Sequence, residues 1–191
     1  MKFELFAIFL LLSPVIVSFS CIEHMIVWKI SQSMLSSELY DSIIKLAEVK
    51  DYWYTNELEL ACWADDVRWR DSEHSHWHFL DIPFFDGVEP FPWEPPADNV
   101  AYGMQILREE MQAQGSDQNL RSKYVKYFIH FMGDLHTPMH TVSRYSPEHP
   151  EGDRGGNDFK VSGMSSKGIR SLHSLWDRSM GQIDHPSRVM L

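Results

Sequence analysis

SDQNLRSKYVKYFIHFMGDLHTPMH, residues 116–140, decides the fold class. Apolar residues recur at Leu120, Tyr124, Tyr127, Phe128, Phe131 and Leu135, the spacing of one helical stripe. Ser116 or Asp117 offers a side-chain oxygen to cap the start. Pro138 disfavours helix at Thr137, so the helix is expected to end or kink there. The same stretch carries metal-ligand chemistry. His130 and Asp134 are four apart, project from one face and can meet one metal cluster. His140 stands just beyond the proline. His136 points well round the helix from Asp134 and reads as solvent-facing or as support for a ligand.

Outward from this helix, the remaining periodicity is also helical. Residues 25–49 carry Ile26, Ile30, Leu35, Leu39, Ile43 and Leu46 at helical spacing, giving one or two helices. Residues 56–68 form a second stretch, with Leu58, Leu60, Ala61 and Trp63, and 99–114 a third. The prolines in IPFFDGVEPFPWEPPADN (82–99) argue for loop, as does the composition of SPEHPEGDRGGND (146–158). FKVSGM (159–164) is at most a short hairpin arm, and 166–177 reads as a final amphipathic helix. Strand signals are scarce, and the fold class is all-α: a helical bundle with long functional loops and at most a short hairpin.

His173 and Asp177 repeat the i,i+4 pairing of His130 and Asp134 on another helix. A single such pair is usually a surface ion pair; two on separate helices point to metal. Further donors are Asp65 in WADD, His24, and the alternating His74, His76 and His78, among which spacing cannot choose. His149 and His185 lie in polar, proline-containing segments and read as surface residues. No nucleophile elbow, phosphate-binding loop, dinucleotide fingerprint or Cys-x-x-Cys is present, which leaves metal chemistry.

A net charge of -10 argues against a nucleic-acid binder that works by lysine and arginine alone. A phosphate substrate would need bound cations. Residues 1–18 have the early lysine and apolar run of a secretory signal peptide, too short for a confident membrane span. The expected mature domain is 19–191, secreted or lumenal. Its two cysteines, Cys21 and Cys62, could form one bridge or remain free.

HFMGDLHTPMH (130–140), GGND (155–158) and LHSLWD (172–177), with WAD (63–65) and HFLD (78–81) upstream, resemble the class I nucleases, the S-one/P-one family. These are zinc-dependent single-strand-specific nucleases and 3'-nucleotidases with an all-α fold and three zinc ions in a cleft. The resemblance implies that Asp65, His78, His130 and Asp134 hold one zinc, and His140, His173 and Asp177 a second. The third would be held by His24, a bridging Asp134, and the amine and carbonyl of the mature N-terminal residue, which here is expected to be Phe19 where the family has tryptophan. It also implies that Asp65 helps deprotonate or orient the attacking water and that Arg68 contacts phosphate. Phe79 and Asp81 would stack on and hydrogen-bond a base.

The implied activity is endonucleolytic hydrolysis of single-stranded RNA or DNA leaving 5'-phosphates, with 3'-nucleotidase activity beside it, in a monomer without stable membrane association. Family members continue beyond the HSxWD helix with further helices, so the domain is expected to lack C-terminal helices. Two readings compete. One is a zinc phospholipase C, a related family with a similar metal site; the other is an inactive, shortened family member.

Overall fold

The computed structural model describes residues 20–47, 56–68, 70, 72–113, 115, 117–164 and 167–183. Its helices are α1 (Cys21–Gln32), α2 (Ser37–Ala47), α3 (Trp63–Val67), α4 (Val100–Gln112), α5 (Gln118–Leu135), α6 (Pro138–Thr141) and α7 (Leu172–Trp176), with 3-10 turns at Glu57–Cys62, Ser72–His78 and Ser179–Gly181. The protein is mostly helical, as the periodicity predicts. The proposed signal segment, Phe19 and His185 lie outside the described residues, among which no helix is long and apolar enough to cross a membrane.

Helix α5 is the central element. Asp117 caps it, accepting from Asn119 and Leu120 N–H through Oδ1. Tyr127 and Phe131 enter a core with Trp63, Ala64, Trp77, Val100 and Leu107. Ile129, on another side, joins Trp28 and Ala61. The predicted stripe holds except at Leu120, which is exposed in the first turn of the helix. Thr137 is extended as Pro138 requires, and the proline then opens α6 at a position that needs no N–H.

Three local expectations are corrected. Ile82–Phe85 is a strand, β1, despite Pro83, because it pairs on one side only. Its partner is β2 (Val142–Tyr145), and the pairing is parallel with Phe84 opposite Arg144, so no hairpin forms here. Residues 159–164 contribute a single antiparallel bridge, Lys160 to Ser171, within the expected limit of a short hairpin arm. The last helix begins at Leu172, not 166, because Gly168 adopts a left-handed φ of 74° and Ser171 forms a capping box with Ser174. On α1, Trp28 and His24 face inward while Ile26 and Ile30 are exposed. The cysteines form a disulfide, Cys21–Cys62, which ties the start of α1 to the turn that precedes α3.

Candidate metal centre

Eight of the nine proposed ligand residues lie in the described part of the chain, and the fold brings all eight together. Three groups could each hold a metal ion: His24, Asp65 and His130; His78, His130 and Asp134; and His140, His173 and Asp177. Within each group one donor atom per residue lies within 4.8 Å of the others. The third group coincides with the implied second set. His24 groups with Asp65 and His130 rather than with Asp134 alone, although its Nε2 is also 3.3 Å from Asp134 Oδ1.

Asp134 is the junction. Fully buried at the end of α5, it turns Oδ2 to His78 Nδ1 at 3.0 Å and His130 Nε2 at 3.4 Å. Its other oxygen, Oδ1, faces His24 Nε2 and His140 Nδ1, both at 3.3 Å. His78 and His130 on one side and His24 on the other thus meet different oxygens of one carboxylate, the geometry that a bridging ligand needs. Asp65 approaches the same rings from α3, with Oδ1 3.8 Å from His78 and 3.7 Å from His130, and its side chain is 25% exposed at the rim.

The imidazoles are aimed by backbone carbonyls, which can only accept. His130 donates from Nδ1 to Ala61 O at 2.7 Å, His140 to His78 O at 2.9 Å, and His173 to Gly155 O at 2.8 Å. Each bond fixes the proton on Nδ1 and leaves Nε2 for a metal. His173 Nε2 lies 3.3 Å from Asp177 Oδ2, and His140 Nε2 3.7 Å from Asp177 Oδ1.

Two glycines permit this approach. A Cβ on Gly133 would stand 2.4 Å from His24 Nδ1, so α1 can seat His24 against α5, ring-stacked on His130, only because that position is bare. Gly155, at φ 59°, would place a Cβ 2.1 Å from Met139 O. Its loop is held by buried Asp153, whose Oδ1 accepts from the N–H groups of Arg144 and Gly156.

The donor set fits zinc. Two ligands at 2.0–2.2 Å from a tetrahedral zinc stand about 3.3 Å apart, the range of the nitrogen-to-oxygen approaches above. Buried Asp134 Oδ1, His140 Nε2, His173 Nε2 and both Asp177 oxygens have no hydrogen-bond partner among the described residues. Buried polar atoms in that state need a ligand.

Electrostatics divide the rings. Burial disfavours the charged form of His130 and His140, but Asp134, with Asp65 or Asp177, overcomes it and raises both to about 9. Burial dominates at His24, His78 and His173 and lowers them. Desolvation opposes the Asp134 carboxylate, yet His130 and His140 hold it well below the usual range, whereas burial raises Asp177.

The other histidines separate cleanly. A 3-10 helix turns about 120° per residue, so the alternating His74, His76 and His78 point three ways instead of sharing a side. His74 packs against Trp77 and Tyr127, His76 meets Asp98 at 3.1 Å, and only His78 reaches the cluster. His136 is exposed and donates to Met132 O. Arg68 closes α3 and donates from Nη2 to Ser75 O at 3.4 Å. Phe79 and Asp81 are half-buried beside the site, where Leu80 N–H donates to His140 O at 2.7 Å. Burial, then the charge of Asp153, raises the Asp81 carboxyl.

Gly133, Gly155, Asp153 and the Ala61 carbonyl escape a reading of ligand spacing. A glycine interrupting the apolar pattern of α5 was the available signal for the first.

A family model described as S1/P1 Nuclease matches residues 19–188. Endonuclease 2 of Arabidopsis thaliana is 26% identical over 171 residues, covering 82% of this chain and 54% of that protein. Endonuclease 1 of the same plant is 25% identical over 171 residues, 82% of this chain and 52% of that protein. The chain thus spans about half the length of these relatives.

Proposed function

The chain belongs to the S1/P1 nuclease family, and from that premise we propose that it is a secreted zinc-dependent phosphodiesterase that hydrolyses single-stranded RNA and DNA. The products would carry 5'-phosphates, and 3'-nucleotides would be a second substrate. The observation that carries this reading is the buried Asp134, whose two oxygens face four imidazoles.

Three zinc ions would be held by His24, Asp65, His78, His130, Asp134, His140, His173 and Asp177, with the backbone of Phe19 at a mature N-terminus. Bound zinc supplies hydroxide near neutral pH by lowering the pKa of water towards ~7, and neutralises charge on phosphate. This accounts for how a chain of net charge -10 handles a polyanion.

The protein's own groups divide the remaining work. Asp65 is the one cluster carboxylate open to solvent, so it can orient the attacking water and take its proton. Arg68 lies one turn along from Asp65 and is steadied by Ser75, which suits it to bind a phosphate oxygen as charge develops. Phe79 offers a ring to any base and Asp81 an acceptor, while the backbone pairing of Leu80 to His140 ties that pocket to the cluster.

The test is cleavage of single-stranded DNA by the purified chain, with and without chelator. Chelator-sensitive cleavage with 5'-phosphate ends is expected. Hydrolysis of phosphatidylcholine in place of DNA would instead support a phospholipase, and metal binding without turnover an inactive member.

A further inference from the structure

We propose that the ribbon formed by β1 and β2 is a base-stacking platform that grips single-stranded substrate beyond the bond being cut. The inference rests on the nuclease reading and concerns residues that play no part in the metal cluster.

Strand β1 begins one residue after Asp81, and β2 two residues after His140, so both strands leave the candidate site together. Phe84 and Arg144 are directly opposite in register, which places their side chains as neighbours on one face. Phe84 is 56% exposed and Phe159 40% exposed, and the Arg144 guanidinium stands 5.9 Å from the Phe159 ring centre. Two open rings, Phe84 and Phe159, therefore flank the Arg144 side chain, which is 30% exposed.

Arg144 is fixed rather than free. Asp86 accepts from its Nε at 2.8 Å and its Nη2 at 2.7 Å, and the Asp86 backbone is itself held by Tyr145 O. That pairing cancels the charge and leaves the planar face. The surface thus suits a base more than a phosphate. The opposite face of the ribbon is already in use: Phe85 and Tyr145 pack on Phe91 with ring centres 5.0 and 5.2 Å away. The exposed ring of Phe84 is therefore not needed to hold the ribbon.

The occupant follows from chemistry and continuity. An acidic protein cannot collect a strand by general attraction to phosphates. Stacking on aromatic rings and arginine is tolerant of base identity and less dependent on charge. Phe84 follows Asp81 by three residues, about 10 Å of strand, so a nucleic-acid strand seated in the pocket has neighbouring bases within reach of the ribbon.

The experiment compares hydrolysis of a dinucleotide with that of an oligothymidylate of about ten nucleotides by the zinc-loaded full chain. Phe84→Ala is expected to lower the ratio of oligonucleotide to dinucleotide kcat/KM about tenfold. Phe84→Trp should keep the ratio and Phe84→Leu should not, because a ring rather than apolar bulk is required. The loss should persist at high salt. An unchanged ratio in Phe84→Ala, or full retention by Phe84→Leu, would overturn the platform. Binding of the fluorescent oligonucleotide in chelator separates the two ideas: Phe84-dependent binding without cleavage in zinc would defeat the nuclease reading and leave the platform. Cleavage that ignores Phe84 would do the reverse, and neither binding nor cleavage would defeat both.

Discussion

The proposed ligands around Asp134 and those around Asp177 would perform the same chemistry on different supports. His24, Asp65, His130 and Asp134 sit on α1, α3 and α5, whose other faces build the two cores, so their positions are set by packing. His140, His173 and Asp177 sit on or beside short helices, and their positions are set by single backbone contacts: Gly155 O, His78 O and the loop that Asp153 pins. The difference teaches that one half of the site should fail with the fold and the other should fail alone.

The largest effect is expected where the halves meet. Asp134→Asn removes the bridging carboxylate, and turnover on single-stranded DNA should fall to background with loss of more than one zinc. Near wild-type turnover would contradict the cluster as drawn. Next comes the disulfide, which, in the helical half, ties the start of α1 to the turn before α3. Its loop spans 41 residues, so replacing Cys21 and Cys62 with serine should cost about 4 kcal/mol in denaturant unfolding. Retention of full stability would break the claim that this half depends on the fold.

Gly155→Ala should act locally. The added Cβ collides with the Met139 carbonyl and disturbs the acceptor of His173, so zinc should drop by about one ion and activity by about 10–100-fold, with little change in unfolding. Loss of all metal together would erase the contrast. The smallest effect concerns pH. In metal-free protein His130 and His140 have folded values of about 9, above the ordinary 6.5, so their stabilisation is complete below 6.5 and lost as pH rises through 9. The thermal midpoint in chelator should therefore fall across that window, whereas with zinc, which needs unprotonated rings, it should rise. A rising profile in chelator would be the contrary result.

Much of this was legible in the residues because α5 announces itself twice, by its apolar stripe and by the i,i+4 pairing of His130 with Asp134. The family resemblance then selected His78 from the alternating histidines; spacing failed there because a 3-10 turn abolishes the alternation. Strand β1 was hidden because Pro83 argues against a strand, and only an edge position tolerates it. A helix expected from 166 overreaches α7 because Gly168 takes a left-handed backbone conformation that ends the helical pattern. The supports of the second ligand set were illegible for a simpler reason: carbonyls of Gly155 and His78 carry no side-chain signal at all.

The most direct measurement is the zinc content of each folded chain, made on protein whose N-terminus has been formed by secretion. The structure offers three donor groups, two of which share His130, and the prediction is about three zinc ions per chain, since a complete set of preorganised ligands loads fully. A folded chain that carries no zinc would contradict the metal centre and the function built on it.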